Sequence, residues 1–402
     1  MKPTEMTRRA VLCALTTISL GLSGCMAQAE TVQAETLQSA NVRAVTLLKT
    51  PDGGIQPQAK MDAKGTLHLI YYKGEAKAGD IFYVRSTDGG KSFSTPIRVN
   101  SQPNSAIAAG TIRGAQLAIG KDNRVHVAWN GSGAARPEGP GGAPMLYTRL
   151  NEGATAFEPQ RNLITWAGGL DGGGTVAADD KGDVYVAWHA APEGADETER
   201  AVYLARSTND GKTFERERRI NSQPTGACGC CQMRAFVDSK GALYVLYRAA
   251  GNSVNRDSML LVSTDNGTKF QGALLDKWYL NACPMSSYSM TQTPQAIYAA
   301  WETKDQVYMS AVPTTRTQKL ALIAAPGAAK ARKHPVVLAG ADGKVLFAWT
   351  EGTGWNQGGS LAWQIYDADG RPTDAKGRAE GVPSWGLLSA VARPDGDFTL
   401  IY

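Results

Sequence analysis

A short β-strand of one form recurs seven times along the chain, each time entered from a turn and closed by an aromatic residue. Asp62-Ala-Lys-Gly65 leads into Leu67-His-Leu-Ile-Tyr71, and Asp122-Asn-Arg124 into Val125-His-Val-Ala-Trp129. Asp180-Lys-Gly182 precedes Val184-Tyr-Val-Ala-Trp188, and Asp238-Ser-Lys-Gly241 precedes Leu243-Tyr-Val-Leu-Tyr247. Weaker copies are Ile297-Tyr-Ala-Ala-Trp301, Val345-Leu-Phe-Ala-Trp349 and Phe398-Thr-Leu-Ile-Tyr402. The aromatics fall at intervals of 48 to 59 residues, which leaves room for one small sheet per repeat. A small sheet cannot bury its own faces and must stack on its neighbours. The expected fold is all-β, a β-propeller of four-stranded blades. Counting aromatics gives seven blades. The chain stops at the second strand of the last, so residues 42–48 are expected to supply its outer strand and tie the two ends together.

The remaining composition narrows the function. With 42 basic and 37 acidic residues, the charge is too even for a nucleic-acid groove. The apolar stretch from Ala10 to Gly24 follows Arg8-Arg9 and is too short to span a bilayer, but it fits a signal-peptide core. Thr7-Arg8-Arg9-Ala10-Val11-Leu12 resembles a twin-arginine export signal, and Leu22-Ser23-Gly24-Cys25 resembles a bacterial lipobox. The lipobox implies residues 1–25 as a signal with lipidation at Cys25, whereas Ala27-Gln28-Ala29 offers a rival cleavage site. Residues 26–41 read as a polar tether and 42–402 as the propeller. The expected location is the bacterial envelope or periplasm, with membrane contact only through a lipid anchor, and the expected state is a monomer.

A second motif follows several of the repeated strands. Ser86-Thr-Asp88-Gly-Gly90-Lys-Ser-Phe93, Ser207-Thr-Asn209-Asp-Gly211-Lys-Thr-Phe214 and Ser263-Thr-Asp265-Asn-Gly267-Thr-Lys-Phe270 share one pattern, and Leu150-Asn-Glu152-Gly-Ala-Thr-Ala-Phe157 is a worn fourth copy. Such turns use Ser and Asp oxygens to accept backbone N–H groups, and Gly for left-handed dihedrals. The motif resembles the Asp-box of the sialidase superfamily, where it fastens the fold on the face away from the active site. That resemblance implies six blades, against the seven counted here.

Propeller geometry places the residue after each repeated aromatic on the opposite rim: Tyr72, Asn130, His189, Arg248, Glu302 and Thr350. Inner strands begin about sixteen residues earlier, at Arg113, Gly172, Cys231, Met285 and Lys333. The sialidase resemblance implies three arginines around a substrate carboxylate, a general acid, and a Tyr–Glu nucleophile and base. Arg113, Arg234 and Arg248, with His189 and Asn130, are the candidate binding residues; Asp171, Tyr288 and Glu302 are the candidate catalytic ones. The Phe/Tyr-Arg-Ile-Pro motif of that superfamily is absent, Thr111-Ile-Arg113-Gly being the nearest analogue. The implied function is a glycoside hydrolase acting on an acidic sugar or glycan, with no required cofactor. A non-catalytic propeller binding glycan or protein is the alternative.

Cys228-Gly-Cys230-Cys231 and Cys283-Pro-Met285 belong to consecutive repeats and should meet on the same rim. In an oxidising compartment the first expectation is disulfides between adjacent blades. The other is a thiolate site for a soft metal, Cu or Zn.

Overall fold

The computed structural model describes residues 44–402 apart from 111, 192–193, 313–319 and 329–330. The expected export signal, Cys25 and the expected tether lie outside the described residues. Within them the chain forms seven small sheets and, besides strands, only two 3-10 turns, Pro51–Gly53 and Lys121–Asn123. Six sheets are four-stranded antiparallel blades in simple chain order. Their inner strands are Ile55–Met61, Gln116–Ile119, Thr175–Ala178, Arg234–Val237, Ser289–Gln292 and Arg332–Ala339.

The seventh blade closes the ring and differs from the four-stranded expectation, holding three strands among the described residues. Ser389–Ala392 is its inner strand, Phe398–Ile401 its second, and Val45–Leu48 its edge. Val45 pairs with Phe398 and Leu48 with Ile401 in a parallel ladder. Backbone bonds from Phe398 N to Ala44 O (2.9 Å) and from Thr50 N to Tyr402 O (2.8 Å) extend the closure past both ends of the ladder. The count of seven therefore stands, and the six blades implied by the sialidase resemblance do not.

The repeated strands are the second of each blade, and packing explains their composition. A middle strand between two neighbouring blades has no wet face, so it reads as a near-continuous apolar run. Val125–Asn130 and Val184–Ala190 are buried at every residue. The closing Trp anchors the loop that leads into its own blade: Trp129 Nε1 donates to Ser105 O (3.3 Å) and Trp188 Nε1 to Ala167 O (3.2 Å).

The inner strands pose a different problem, because each presents a sheet edge to the axis with N–H groups that its own blade leaves unpaired. Hydroxyls from the adjacent blade accept them. Ala235 N donates to Thr175 Oγ1 (2.8 Å), Val337 N to Ser289 Oγ (3.0 Å), and Ala59 N to Ser389 Oγ (2.8 Å). In β-register with the fourth residue of the repeated strand, the inner positions are Gln58, Gln116, Thr175, Arg234, Ser289, Val336 and Ser389. Five are Gln, Ser or Thr. Arg234 and Val336 are the exceptions.

The Asp-boxes sit with the turns between inner and second strands, as in Asp210 N to Gly182 O (2.8 Å). In each, the Ser hydroxyl accepts from the Gly amide: Gly90 to Ser86 (2.8 Å), Gly211 to Ser207 (2.9 Å) and Gly267 to Ser263 (2.9 Å). In two copies the terminal Phe packs on a Tyr of the preceding blade: Phe214 meets Tyr147 edge-on at 4.8 Å, and Phe157 of the worn copy meets Tyr83 at 5.6 Å. These hairpins therefore hold blade to blade.

Gly211 and Gly89 share a left-handed backbone (φ +73° and +75°), but only at Gly211 would a Cβ overlap a neighbour, the Tyr147 hydroxyl. Gly89→Ala should cost about 1 kcal/mol from backbone strain, and Gly211→Ala about 3 kcal/mol because the blade contact is lost as well. Urea midpoints of the two variants measure the difference; equal losses would mean that the hairpin does not bridge the blades.

Candidate functional site

At the end opposite the Asp-boxes, the loops between blades fold onto the ends of the second strands, as in Cys228 N to Arg248 O (2.8 Å) and Ala191 N to Gly168 O (3.1 Å). All six residues of the expected ring, Tyr72, Asn130, His189, Arg248, Glu302 and Thr350, lie here and are buried. None of the six borders the axial cavity. They divide into groups, each tied to its own partners.

One group surrounds Asp171. Arg113 Nη2 pairs with Asp171 Oδ1 (2.5 Å), while its Nε donates to Asp171 O (2.6 Å) and its Nη1 to Ala109 O (3.0 Å). Asn130 Nδ2 donates to Gly172 O (2.6 Å) and Asp171 O (3.2 Å), so it shapes the backbone of the Gly-rich segment. His189 Nε2 accepts from Gly172 N (3.2 Å), which leaves the ring proton on Nδ1, a buried atom with no partner among the described residues. Burial and the Arg200 guanidinium pull the His189 imidazole down to about 3, so it is neutral. Asp171 itself keeps a half-exposed side chain (48%).

A second group is built on Arg248, which is 1% exposed and stacks between Trp278 and Tyr288 at 5.1 and 5.3 Å. Its Nε and Nη2 donate to Ser286 Oγ (3.2 and 3.0 Å). Its Nη1 donates to Arg256 O (2.8 Å) and Ser258 Oγ (3.0 Å), and its Nη2 also to Glu302 O (2.8 Å). These five bonds engage all five N–H groups of a guanidinium. A substrate carboxylate would have to displace one of them.

Glu302 lies beside this group but directs its carboxylate elsewhere. Oε1 is 3.4 Å from Lys333 Nζ, and Oε2 is buried without a partner among the described residues. Burial pushes Glu302 up to about 7, against the weaker pull of Lys333 and Arg248. The Tyr288 hydroxyl reaches Ser258 Oγ at 3.5 Å. The Tyr–Glu couple of a sialidase is therefore not formed by these two side chains.

The third group lines the axis. A cavity of about 290 Å³ runs between the inner strands and is bordered by Gln58, Lys60, Gln232, Arg234, Tyr288 and His334, among others. Of the three candidate arginines only Arg234 borders it, which corrects the expectation that they converge. Arg234 Nε donates to Tyr288 O (3.2 Å), and Nη1 reaches across to Gln58 Oε1 at 3.5 Å. Burial pulls Arg234 down to about 10. Lys60 is exposed to the solvent of the channel, yet the protein crowded around it and then the Arg234 charge pull its ammonium down to about 8. No carboxylate pairs with either cation among the described residues.

Sequence reasoning missed Lys60 and His334. Lys60 stands two residues beyond Gln58 on one strand, on the same face, a signal visible only once the register is known. His334 has a left-handed backbone (φ 50°), with Nδ1 3.3 Å from Ser287 Oγ, and burial holds it down at about 3.

The cysteine segments meet as expected, but not as inter-blade disulfides. All four are free thiols, with Cys228 Sγ 3.4 Å from the Sγ atoms of both Cys230 and Cys231. Burial alone would push the Cys231 thiol up. Hydrogen bonds from Cys228 and Cys230, the Arg248 charge and the Ser286 hydroxyl reverse this and hold it well below the usual thiol range.

The fold is a seven-bladed β-propeller. A Dyadobacter fermentans protein of unknown function is 14% identical, with TM-score 0.52 over 83% of this chain and 96% of that one. A Hadza microbial sialidase is 13% identical, with TM-score 0.49 over 81% of this chain and 68% of that one. The GH93 α-L-arabinofuranosidase of Fusarium graminearum, solved with arabinobiose, is 12% identical, with TM-score 0.49 over 84% of this chain and 98% of that one. No protein-family model and no curated protein sequence matches the chain.

Because Glu302 holds a proton in the folded protein up to about pH 7, while an unfolded glutamate releases it near 4.5, stability should fall as pH rises between those values. Glu302→Gln should leave stability at pH 4 nearly unchanged and raise it at pH 8 by about 2–3 kcal/mol. Urea unfolding at both pH values checks this, and an equal effect at the two would contradict the burial argument.

Proposed function

We propose that this protein is an exported, carbohydrate-recognising propeller that takes an acidic sugar or glycan terminus at the axial channel. The observation that carries the reading is the pair Lys60 and Arg234, two cations bordering one cavity with no carboxylate paired to either among the described residues. Two like charges held in one channel repel each other, and a ligand carboxylate would offset that cost. The Asp-box resemblance supports a carbohydrate as the bearer of that carboxylate. The hydrogen-bond saturation of Arg248 and the separation of Glu302 from Tyr288 favour recognition over hydrolysis. Hydrolysis is the second reading, carried by the half-exposed Asp171 carboxylate held by Arg113.

Isothermal titration with N-acetylneuraminate, glucuronate and neutral sugars tests the first reading, and a panel of fluorogenic sialosides, uronides and neutral glycosides tests the second. An acidic sugar should bind and its neutral counterpart should not. Lys60→Met and Arg234→Met should each weaken binding about tenfold or more without lowering the melting temperature, since each removes an uncompensated cation. Affinity should decline as pH rises through about 8, where Lys60 loses its proton, and Lys60→Met should abolish that decline. Equal binding of neutral sugars would defeat the proposal. Turnover that disappears in Asp171→Asn would favour hydrolysis.

The twin-arginine and lipobox resemblances support an envelope location with a lipid on Cys25. Metabolic palmitate labelling should tag the protein, and Cys25→Ala should abolish the label and release the chain from membranes. Unlabelled wild-type protein would favour cleavage at the Ala27-Gln28-Ala29 site instead.

A further inference from the structure

Sulfur is concentrated at one place in the described residues, the loop leading into the fourth blade. The Sγ atoms of Cys228, Cys230 and Cys231 all lie within 4.8 Å of one another. Cys283, from the loop leading into the fifth blade, is exposed and lies outside this mutually close group, on its solvent side. The closest sulfur pairs, at 3.4 Å, are far beyond a disulfide bond of about 2.05 Å. They are near the edge of a metal coordination polyhedron instead. Metal–sulfur bonds of about 2.3 Å place sulfurs roughly 4 Å apart in a trigonal site and slightly less in a tetrahedral one.

The surroundings hold this loop in place before any ligand arrives. Cys228 N donates to Arg248 O (2.8 Å), Cys231 N to Cys228 O (3.3 Å), and Gln232 N to Ser286 O (3.0 Å). The Ser286 hydroxyl contacts Cys231 Sγ at 3.4 Å. Gly229 packs closely beneath Arg200 and Asp171, so a Cβ there would displace the Arg200 guanidinium. A neighbouring group is also left incomplete. Arg256 is 3% exposed, and although its Nη2 pairs with Glu197 Oε1 (2.6 Å), its Nε and Nη1 have no partner among the described residues. Buried guanidinium donors without partners are costly, and a metal-bound thiolate beside them is an acceptor.

We propose that Cys228, Cys230 and Cys231 form a three-sulfur site for a single Cu(I) ion, with Cys283 as an outer ligand at the solvent edge. The donor set selects the metal. The mutually close group contains no imidazole and no carboxylate, and all-sulfur sites favour soft ions. A structural Zn(II) site is closed by four ligands, whereas the fourth sulfur here belongs to an exposed residue outside that group. On binding, each ligating thiol releases its proton to solvent and its sulfur donates a lone pair to the ion; no electron is transferred. The site uses none of the groups assigned to the acidic sugar, so either proposal can fail alone.

The test uses the full chain purified anaerobically with reductant. It is titrated with Cu(I) supplied as its acetonitrile complex against the chromophoric competitor bicinchoninate, and in parallel with Zn(II). One equivalent of Cu(I) should be retained, with a thiolate-to-copper absorption band in the ultraviolet. Cys228→Ser and Cys231→Ser should lose it, and Cys283→Ser should keep the stoichiometry with affinity about tenfold lower. Circular dichroism of the metal-free variants checks their fold. X-ray absorption of the unmodified protein needs no variant and should show a shell of sulfur ligands with no nitrogen or oxygen. Loss of all Cu(I) to the competitor, a four-sulfur Zn(II) complex retained in its place, or a metal-free protein carrying two disulfides would each overturn the proposal.

Discussion

Seven sheet edges facing one axis are the constraint on which the rest of this structure depends. An open edge invites pairing with another chain, and here seven converge around one narrow channel. The chain meets the problem with short polar side chains that cross from one blade to the next, as Thr175, Ser289 and Ser389 do for the amides of Ala235, Val337 and Ala59. Each bond satisfies an edge and fixes the angle between blades. The parallel ladder from Val45 to Leu48 then removes the circular freedom that would let the ring open. Arg234 occupies a position of this belt but sends Nη1 across the axis toward Gln58. A position that elsewhere serves the fold has there been released for another use, and this is the physical reason for assigning a ligand to it.

At the end opposite the Asp-boxes the balance between scaffold and function differs from the arrangement that the sialidase resemblance implies. Arg248, Asn130 and Arg113 are polar groups of the right type in the right ring, yet their donors are engaged by the protein's own backbone and hydroxyls. What they position is the segment from Asp171 to Gly174 and, against it, the cysteine loop; a Cβ on Gly172 would overlap the Gly229 carbonyl. Backbone of this loop lies where a side chain of Gly172 would otherwise point, and the Ile112 carbonyl where one of Gly173 would, so those two glycines are required by packing. The space that an open sugar site would need near Asp171 is thus partly filled by the four residues Cys228 to Cys231.

Much of the architecture was legible in the sequence because it rests on local, repeated chemistry. The strand ending in Trp or Tyr repeats because each copy meets the same kind of neighbours, and the Asp-box repeats because each full copy closes its turn with the same Ser hydroxyl on a Gly amide. The closure of the seventh blade followed from counting strands. The partners of individual ring residues were not legible, since Arg248 meets Ser286 and Glu302 from the next blade across 38 and 54 positions of chain, and no periodicity encodes such a contact. Lys60 was missed for a related reason: a lysine near the start of a chain of short strands looks like any solvated lysine until register places it inside the channel. The cysteines were recognised as neighbours from equivalent positions in consecutive repeats, but whether they pair or cluster depends on side-chain direction within one tight loop.

The channel and the sulfur loop are also mechanically one piece. Cys231 is followed directly by Gln232, which borders the cavity and donates its amide to Ser286 O, and Arg234 begins the inner strand two residues later. Ser286 in turn touches Cys231 through its hydroxyl and accepts two Arg248 N–H groups. A close-packed interior does not yield gradually. Any rearrangement of the sulfurs large enough to bond them in pairs, which requires moving them more than an ångström closer, would therefore strain the bonds to Ser286 and the start of the strand that presents Arg234. The same connection argues that the loop is built to keep its sulfurs apart at near-coordination distance, because that is the arrangement in which Arg248, Ser286 and the inner strand are all satisfied at once.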